Sequence, residues 1–541
     1  MASGRRFDCV IRGGTVLDGT GAEAIRADVG ILGDRIEALE MLADFDAERI
    51  IQAEGFRIAP GFIDIHTHSD ISVTYDPGQS SALGMGVTTQ VVGNCGLSMG
   101  MVTPHKVFEF EKRWLAPHGA RIKWNSFAEH LELVESIGVA TNYVPLAAHG
   151  TLRKLVVGVE DRQATSAELV AMQAILATTL EAGAWGFSSG LEYPPSAFAD
   201  ENELAELCKI VARYGGFYAT HLRNEGDTLV ESVQEALNVV ERAGLPLQLS
   251  HHKAEGRANW RKVVTTLKMI DEARNRGLDV QMDQYPYTAF MTALSIQILP
   301  REFMGGSNEE TTLLLSDIDK RDEIANRMRQ LHPEWDDLSI DSPWHNIQIG
   351  VCRGQPEIQG MSLAQLSKEA GANPIDFALQ LLAETEGYVS AVNFAIDETD
   401  IAMVMRHAFT SIGSDGVGTH PEGLAGQERT HPRTYGTFAR TLGRYVRELG
   451  VLSEAEAIHK MTGLPAKRIG LEKRGVIAPG NYADLTLYDP EKISDVATFD
   501  EPHQYSAGIS RVFVNGEIAL ENGVFNTEYK GRVLRRQGGK N

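Results

Sequence analysis

Strand-like and helix-like segments alternate through the middle of this 541-residue chain, and this alternation constrains its fold more than any other feature. Short apolar runs predict strands at residues 61–67, 88–94, 142–148, 184–189, 216–222, 245–251, 278–284 and 409–414. Amphipathic stretches that predict helices separate several of them, at residues 166–182, 201–214, 228–243 and 261–276. Eight strands with helical connections favour an α/β fold of the (β/α)8 TIM-like barrel type over an open sheet.

The two ends of the chain have a different pattern, in which short apolar runs are divided by Gly and Asp turns. Asn515-Gly516 between two such runs is a strong hairpin signal. Neither end has enough strands for a stable sheet, so we expect both to form one small β-sandwich domain. The predicted domains are residues 1–58 and 469–541 for the β domain and 59–468 for the barrel. Residues 529–541 are expected to be a frayed or docked tail.

The stretch at about 288–408 is too long for one crossover and predicts an insertion into the barrel. Residues 301–331 and 361–385 within it have helical patterns. Such insertions commonly cover the mouth of a barrel as a lid.

Composition limits the classes of partner. The chain has 51 basic and 73 acidic residues, a formal net charge of −22, which argues against nucleic acid or an anionic membrane as a partner. Its four cysteines have no paired spacing, and no stretch resembles a signal peptide or a membrane span. We therefore expect a cytoplasmic protein that acts on a small molecule; homo-oligomer formation is left open.

A His-x-His pair ends the first predicted barrel strand. His66 and His68 follow an apolar run and lie two residues apart, so their imidazoles project from the same face, together with Asp64. Two histidines that converge in this way can share a metal ion. His-x-His alone is more often two polar residues at a strand exit, so the interpretation depends on ligands from other strands.

Further candidate ligands do follow other predicted strands. Cys95 ends the second strand, and His221 and Asp415 end two later ones. His251 and His252 are adjacent, so only one of them can face the barrel centre; if that is His251, Lys253 shares its face. Because catalytic groups of such barrels gather at the carboxyl ends of the strands, this recurrence indicates a common site.

The types of ligand favour zinc. Imidazoles, a thiolate and a carboxylate suit Zn²⁺, whereas Mg²⁺ and Ca²⁺ prefer oxygen. A catalytic zinc keeps one position open for water and lowers its pKa to about 7. A carboxylate such as Asp415 can take the proton of that water and pass it to a leaving group. The pattern therefore predicts metal-assisted hydrolysis at a carbonyl or related carbon.

Together these residues resemble the amidohydrolase superfamily and, more narrowly, the D-aminoacylases (N-acyl-D-amino-acid deacylases). The resemblance covers most of the chain. The stretches that carry it are Gly93-Asn-Cys95-Gly, Gly186-Phe-Ser-Ser-Gly-Leu-Glu-Tyr193-Pro-Pro, Thr220-His-Leu-Arg-Asn-Glu225, Ser250-His-His-Lys253, Asp283-Gln-Tyr-Pro-Tyr287, Ser414-Asp-Gly and His431-Pro-Arg433-Thr-Tyr-Gly-Thr-Phe438.

The resemblance also implies a role for each residue of the site. Cys95, His221 and His251 would hold a tightly bound zinc, and His66 and His68, with Cys95 as a bridge, would form a second, weaker metal site. Asp415 would be the general acid/base. Tyr193, Lys253, Tyr285 and Arg433 would bind the substrate, the last three at its carboxylate. The preference for D-substrates is implied only by the resemblance.

Two segments are longer than the family leads us to expect: the Gly-rich loop 416–432 and the insertion after Tyr287. Substrate identity is therefore less well defined than the class of reaction. One alternative is another hydrolase that acts on a cyclic amide, a lactone or an acylated amine. Another is a barrel without activity that serves as an assembly protein, although every expected ligand is present.

Overall fold

The computed structural model describes residues 5–102, 111–304, 308–336, 338 and 342–536. Within these ranges, eight parallel strands form a barrel, and each overlaps one of the predicted strands. In order they are Phe62–Asp64, Val87–Val92, Asn142–Pro145 with its continuation Ala147–Ala148, Gly186–Gly190, Phe217–His221, Leu247–Leu249, Val280–Gln284 and Thr410–Ile412. Parallel ladders connect each strand to the next in this order.

The barrel closes between the first and the last strand. Thr67 and Gly416 form a parallel bridge. The Asp415 N–H donates to the His66 carbonyl at 2.8 Å, and the His68 N–H donates to the Gly416 carbonyl at 2.8 Å. The TIM-barrel-like α/β fold predicted from the alternation of segments is confirmed.

Helices cover the outside of the barrel. The helices between the strands are Ser80–Gly84, Phe127–Ile137, His149–Val156, Ser166–Glu181, Glu201–Arg213, Leu229–Ala243, Lys262–Asn275 and Glu398–Arg406, and the helices after the last strand are Arg433–Arg440, Glu454–Met461 and Gly463–Ile469. The four predicted helices agree with those observed to within one residue at either end. A capping box of Thr165 and Glu168 begins one of them, because each side chain bonds the backbone N–H of the other.

The predicted insertion has a hydrophobic core of its own. Three antiparallel strands, Phe290–Ala293, Ile347–Cys352 and Val389–Asn393, form a sheet that the sequence analysis did not anticipate. Its helices are Leu294–Ile298, Asn308–Ser316, Ile318–Leu331, Leu363–Ala370 and Pro374–Glu384. The first strand of this sheet follows closely on the seventh barrel strand, so the insertion begins at the mouth of the barrel.

Strands from both ends of the chain pair in one nine-stranded sheet. The strands are Arg5–Val16, Ile25–Leu32, Arg35–Glu40, Phe45–Gln52, Arg57–Pro60, Leu485–Tyr488, Ile509–Val514, Glu517–Glu521 and Val524–Phe525. The two ends meet where Arg57–Pro60 pairs antiparallel with Leu485–Tyr488. The pairing expected between the termini is therefore observed.

The tail docks on the barrel as far as residue 536. Gly531 and Val533 bridge to Val139 and Tyr143, and the Trp185 indole donates to the Leu534 carbonyl. Residues 537–541 of the predicted tail lie outside the described residues. Among the described helices, none is long and apolar enough to cross a membrane.

Candidate functional site

The candidate ligands converge at the carboxyl end of the barrel. His66 Nε2 lies 3.3 Å from Cys95 Sγ, and His251 Nε2 lies 3.6 Å from the same sulfur. His221 Nδ1 is 3.0 Å from His251 Nε2. His68 joins the group through Asp415, whose Oδ1 is 3.1 Å from His68 Nε2 and 3.4 Å from His66 Nε2. All six residues that the sequence analysis named as metal ligands or catalytic acid/base are thus brought together.

Three of these residues leave their strands in the left-handed backbone conformation. Cys95, His251 and Asp415 have φ values of 51°, 33° and 51°. This conformation is unfavourable for residues other than glycine, and strained residues of this kind cluster at functional sites. Here it turns each side chain inward over the end of the barrel.

Three histidines of the cluster each have a ring nitrogen that faces a carboxylate. Glu225 Oε1 lies 3.1 Å from His251 Nδ1, and Glu192 Oε2 lies 2.8 Å from His221 Nε2. Asp283 Oδ1 lies 3.2 Å from His66 Nδ1. A carboxylate at this position orients the ring and sets which nitrogen is free to bind a metal.

These three carboxylates were not assigned a role from the sequence. Glu225 follows His221 by four residues, and Asp283 lies one residue before the end of the seventh strand, so both lie near strand ends, as the ligands do. Glu192 lies in a loop, where spacing gives no comparable signal. Their recognition depended on distances between side chains from different strands.

Charge and hydrogen bonding favour the ionised form of the acidic groups. Burial alone would raise the pKa of the Cys95 thiol, but the charge of His66 and hydrogen bonds with His221 and His251 hold it well below its usual range. Burial would likewise raise the pKa of Asp415, but the charges of Arg433 and His251 keep it well below its usual range. Both shifts favour the anionic form, which a metal ligand and a proton acceptor need.

The pKa values of two imidazoles, by contrast, are raised. Burial alone would lower the pKa of His221, but the charge of Glu225 and hydrogen bonds with Cys95 and Glu192 raise it to about 10. Burial would also lower the pKa of His68, whereas hydrogen bonds with Asp415 and Cys95 raise it to about 9. The cluster thus concentrates negative charge that a cation can neutralise.

This donor set fits zinc. His66, Cys95, His251 and Asp415 offer ligand atoms that all lie within 4.8 Å of one another, and His221, Glu225 and His251 do the same. A thiolate with several imidazoles is a combination that zinc binds well and that hard cations do not. The two groups share His251, and they divide the ligands differently from the division that the resemblance implies.

A cavity of about 490 Å³ opens above this cluster. The four residues expected to bind substrate, Tyr193, Lys253, Tyr285 and Arg433, all line it. Arg433 Nη1 lies 2.8 Å from Asp415 Oδ2, and Lys253 Nζ pairs with Glu225 and lies 3.0 Å from His251 Nδ1. The Tyr285 hydroxyl is buried and has no hydrogen-bond partner among the described residues, so its O–H can donate to a ligand.

The segments expected at the mouth also line the cavity. Met291 and Val351 come from the insertion, and Val417 and Glu428 come from the Gly-rich loop 416–432. Arg353 of the insertion connects the two, since its guanidinium pairs with Glu428. The wall of the cavity is therefore built by connections and not by the barrel strands alone.

Three residues close to the ligands in sequence bond groups outside the ligand cluster. His252 points away from the barrel centre and bonds Thr266 at 2.8 Å, so His251 is the histidine that faces the cluster. Asp64 accepts from the Ser414 N–H at 2.9 Å and stabilises the backbone of the closure. Arg223 pairs with Glu235.

Comparison with known proteins gives a consistent relationship over the whole chain. The model of the amidohydrolase family matches residues 49–332 and 424–520. The chain is 34% identical to a D-aminoacylase of Alcaligenes xylosoxydans xylosoxydans over 533 residues, which covers 98% of each chain. It is 36% identical to an N-acyl-D-glutamate deacylase of the same organism over 531 residues, 98% of this chain and 97% of the relative.

Solved structures agree with these matches. The N-acyl-D-glutamate deacylase of Bordetella bronchiseptica, complexed with zinc and a phosphonate inhibitor that mimics the tetrahedral intermediate, superposes with a TM-score of 0.82 at 32% identity. A D-aminoacylase described for its binuclear metal centre superposes with a TM-score of 0.80 at 34% identity. Each comparison covers 98% of this chain and 100% of the other.

We expect Glu192→Gln to weaken metal binding by roughly 10- to 100-fold, because the substitution removes the carboxylate that orients His221. Zinc retained during competition with a chelator measures this effect. Glu181→Gln is the matched control, since Glu181 bonds only the exposed Tyr214 hydroxyl among the contacts found. Equal zinc retention in both variants would show that Glu192 does not orient a ligand.

Proposed function

Because this chain belongs to the amidohydrolase family and to its D-aminoacylase branch, we propose that it is a zinc-dependent N-acyl-D-amino-acid deacylase. The reaction adds water across the amide bond and yields a carboxylate and a free D-amino acid. The observation that carries this proposal is one cavity in which a zinc-compatible donor cluster, the Asp415 carboxylate and the Arg433 guanidinium lie in contact. Hydrolysis and recognition of a carboxylate can therefore take place on one small molecule.

Cys95, His221 and His251 would hold the tightly bound zinc. The contacts from His251 to the sulfur and to His221 support this set. His66 and His68, with Cys95 as a bridge, would hold a second, weaker metal. When bound, zinc supplies Lewis-acid chemistry, which polarises a carbonyl and makes water a stronger acid.

Asp415 is the general acid/base of the proposed reaction. Its carboxylate lines the cavity, and the charges of Arg433 and His251 lower its pKa and favour the ionised form, which can accept a proton. It takes a proton from the attacking water as the C–O bond forms. It then gives this proton to the amide nitrogen as the C–N bond breaks, so the amine can leave.

Arg433, Lys253 and Tyr285 bind the substrate carboxylate. The Arg433 guanidinium lies 4.8 Å from the centre of the Tyr285 ring, and Lys253 Nζ lies 5.8 Å from the same centre, so the three side chains face one region. A guanidinium can bind a carboxylate through two parallel hydrogen bonds. Tyr193 contacts Thr292 at 3.3 Å and packs on His221, which supports its role in positioning the substrate beside the ligands.

We also propose that the chain is organised into a catalytic domain and a smaller β domain. Residues 59–468 would be the catalytic barrel with an insertion at about 288–408. Residues 1–58 and 469–541 would form the small β-sandwich domain. The pairing of both termini in one sheet supports this division.

A panel of N-acetyl-D- and N-acetyl-L-amino acids, with zinc content determined on the same preparation, tests the proposed activity. We expect free amino acid from D-isomers only, with about one zinc per chain because one site is tight. A zinc-loaded protein that releases nothing from the panel would favour the alternative, hydrolysis of a cyclic amide, a lactone or another acylated amine.

Asp415→Ala should lower turnover by roughly 10²- to 10⁴-fold, because the variant lacks the carboxylate that moves the proton in the proposed reaction. We expect zinc content to stay the same, since Cys95, His221 and His251 remain. The measurement combines kcat with metal analysis of the purified variant. Loss of zinc along with activity would identify Asp415 as a metal ligand instead.

Arg433→Ala should raise KM for N-acyl-D-amino acids by roughly 10- to 100-fold, because a hydrogen-bonded charge pair is lost. The KM for the corresponding amino-acid amides should change much less, since they lack the carboxylate. Arg444→Ala is the control, because Arg444 pairs with Glu398 on the outside of the barrel. An equal effect on acids and amides would exclude Arg433 from carboxylate binding.

A further inference from the structure

The two ends of the proposed substrate are directed to opposite sides of the barrel mouth. Lys253, Tyr285 and Arg433 follow the sixth, seventh and eighth strands. In a barrel of eight strands, the sixth and seventh lie across the axis from the second and third. An amide carbonyl at the ligand cluster, with its amino-acid half at the carboxylate site, therefore directs its acyl group over the second and third strands.

An apolar wall lies on that side of the cavity. It consists of Ile71, Tyr75, Leu97 and Trp114, all of which line the cavity. Ile71 and Tyr75 follow the ligand pair of the first strand, and Leu97 comes two residues after Cys95. Trp114 lies in the turn Glu111–Leu115, within the connection from the second strand to the third.

The side chains of the apolar wall pack against a buried hydrophobic cluster. Ile71 belongs to a buried cluster with Met99, Leu115 and Trp124, against which Tyr75, Leu97 and Trp114 pack. The Tyr75 ring stacks on His118, with ring centres 4.0 Å apart. A wall supported in this way is pre-formed, so an apolar group can bind without ordering it first.

Charged side chains on this side have other partners. Arg113 lies over the Trp114 ring with its guanidinium 4.7 Å from the ring centre. Lys154 also lines the cavity, and both cations take part in further interactions. Arg113 and Lys154 therefore line the same cavity as the apolar wall, but each is engaged by other groups.

The cavity is larger than a short acyl group requires. Its volume of about 490 Å³ lies within the range of pockets that bind drug-sized ligands, roughly 300–1,000 Å³. An acetyl group ends after one methyl and would leave the apolar wall in contact with water. Filling that space with hydrocarbon is favourable, because each buried methylene contributes about 0.8 kcal/mol.

We propose that the apolar wall of Ile71, Tyr75, Leu97 and Trp114 is the acyl subsite, and that the enzyme acts on N-acyl-D-amino acids with a bulky apolar acyl group. This inference rests on the deacylase activity proposed above. It adds the substrate class, which the donor cluster and the carboxylate site leave undefined.

An acyl series on one D-amino acid tests the inference. The amino acid is the one that the panel shows to be released fastest, and the acyl groups are acetyl, butanoyl, hexanoyl, phenylacetyl and succinyl. We expect kcat/KM to rise roughly threefold to fourfold per methylene from acetyl to hexanoyl. Phenylacetyl should be among the best substrates and succinyl among the poorest.

The variant Trp114→Ala tests whether the apolar wall binds the acyl chain. The ratio of kcat/KM for hexanoyl and acetyl substrates should fall by roughly tenfold, because the indole that covers the chain is absent. Leu97→Ala should lower the same ratio. It provides a second measurement if the Trp114→Ala variant does not fold. The control is Val170→Ala, a position 64% exposed on an outer helix, where the ratio should not change.

The outcomes separate the two proposals. Faster hydrolysis of the acetyl or succinyl substrate than of hexanoyl, or an unchanged ratio in both wall variants, overturns the acyl subsite and leaves the deacylase activity intact. Release of no amino acid from any member of the series by zinc-loaded enzyme overturns both.

Discussion

The hydrogen bonds that close the barrel between its first and last strands are the contacts on which the rest of the site depends. Asp415 and His66 are joined through their backbones, and the buried Asp64 carboxylate bonds the Ser414 N–H from 350 residues away in sequence. Because of this closure, the His-x-His pair and Asp415 lie side by side. Without it, the carboxylate and the imidazoles would belong to opposite ends of an open sheet.

Electrostatics then determine how the site can work. Glu225 lies between Lys253 and His251, and Asp415 lies between Arg433 and the His66–His68 pair. Glu225 and Asp415 therefore each have positively charged partners within hydrogen-bond distance, which is the condition under which buried charges are tolerated. The same arrangement places Arg433, the cation proposed to bind the substrate carboxylate, next to the proposed proton carrier Asp415.

The cavity itself is a product of the connections. The insertion, the loop 416–432 and the segment after the second strand all contribute apolar side chains to it, whereas the candidate ligands lie at or just after the strand ends. This division is general for barrels, in which strand ends hold catalytic residues and loops set specificity. It also explains why the class of reaction was easier to infer from sequence than the substrate.

The sequence by itself determined the barrel and the identity of its chemical groups. Periodicity located all eight strands, and residues such as Cys95 and Asp415 were recognised because they follow strands directly, a relation encoded locally. Only the tertiary structure decided that His251 and not His252 faces the centre, and that Glu192, Glu225 and Asp283 stand behind the histidines. It alone also revealed the antiparallel sheet of the insertion and the apolar side chains that line the cavity. These features depend on distances between side chains from segments far apart in the chain. Local patterns of hydrophobicity do not encode such distances.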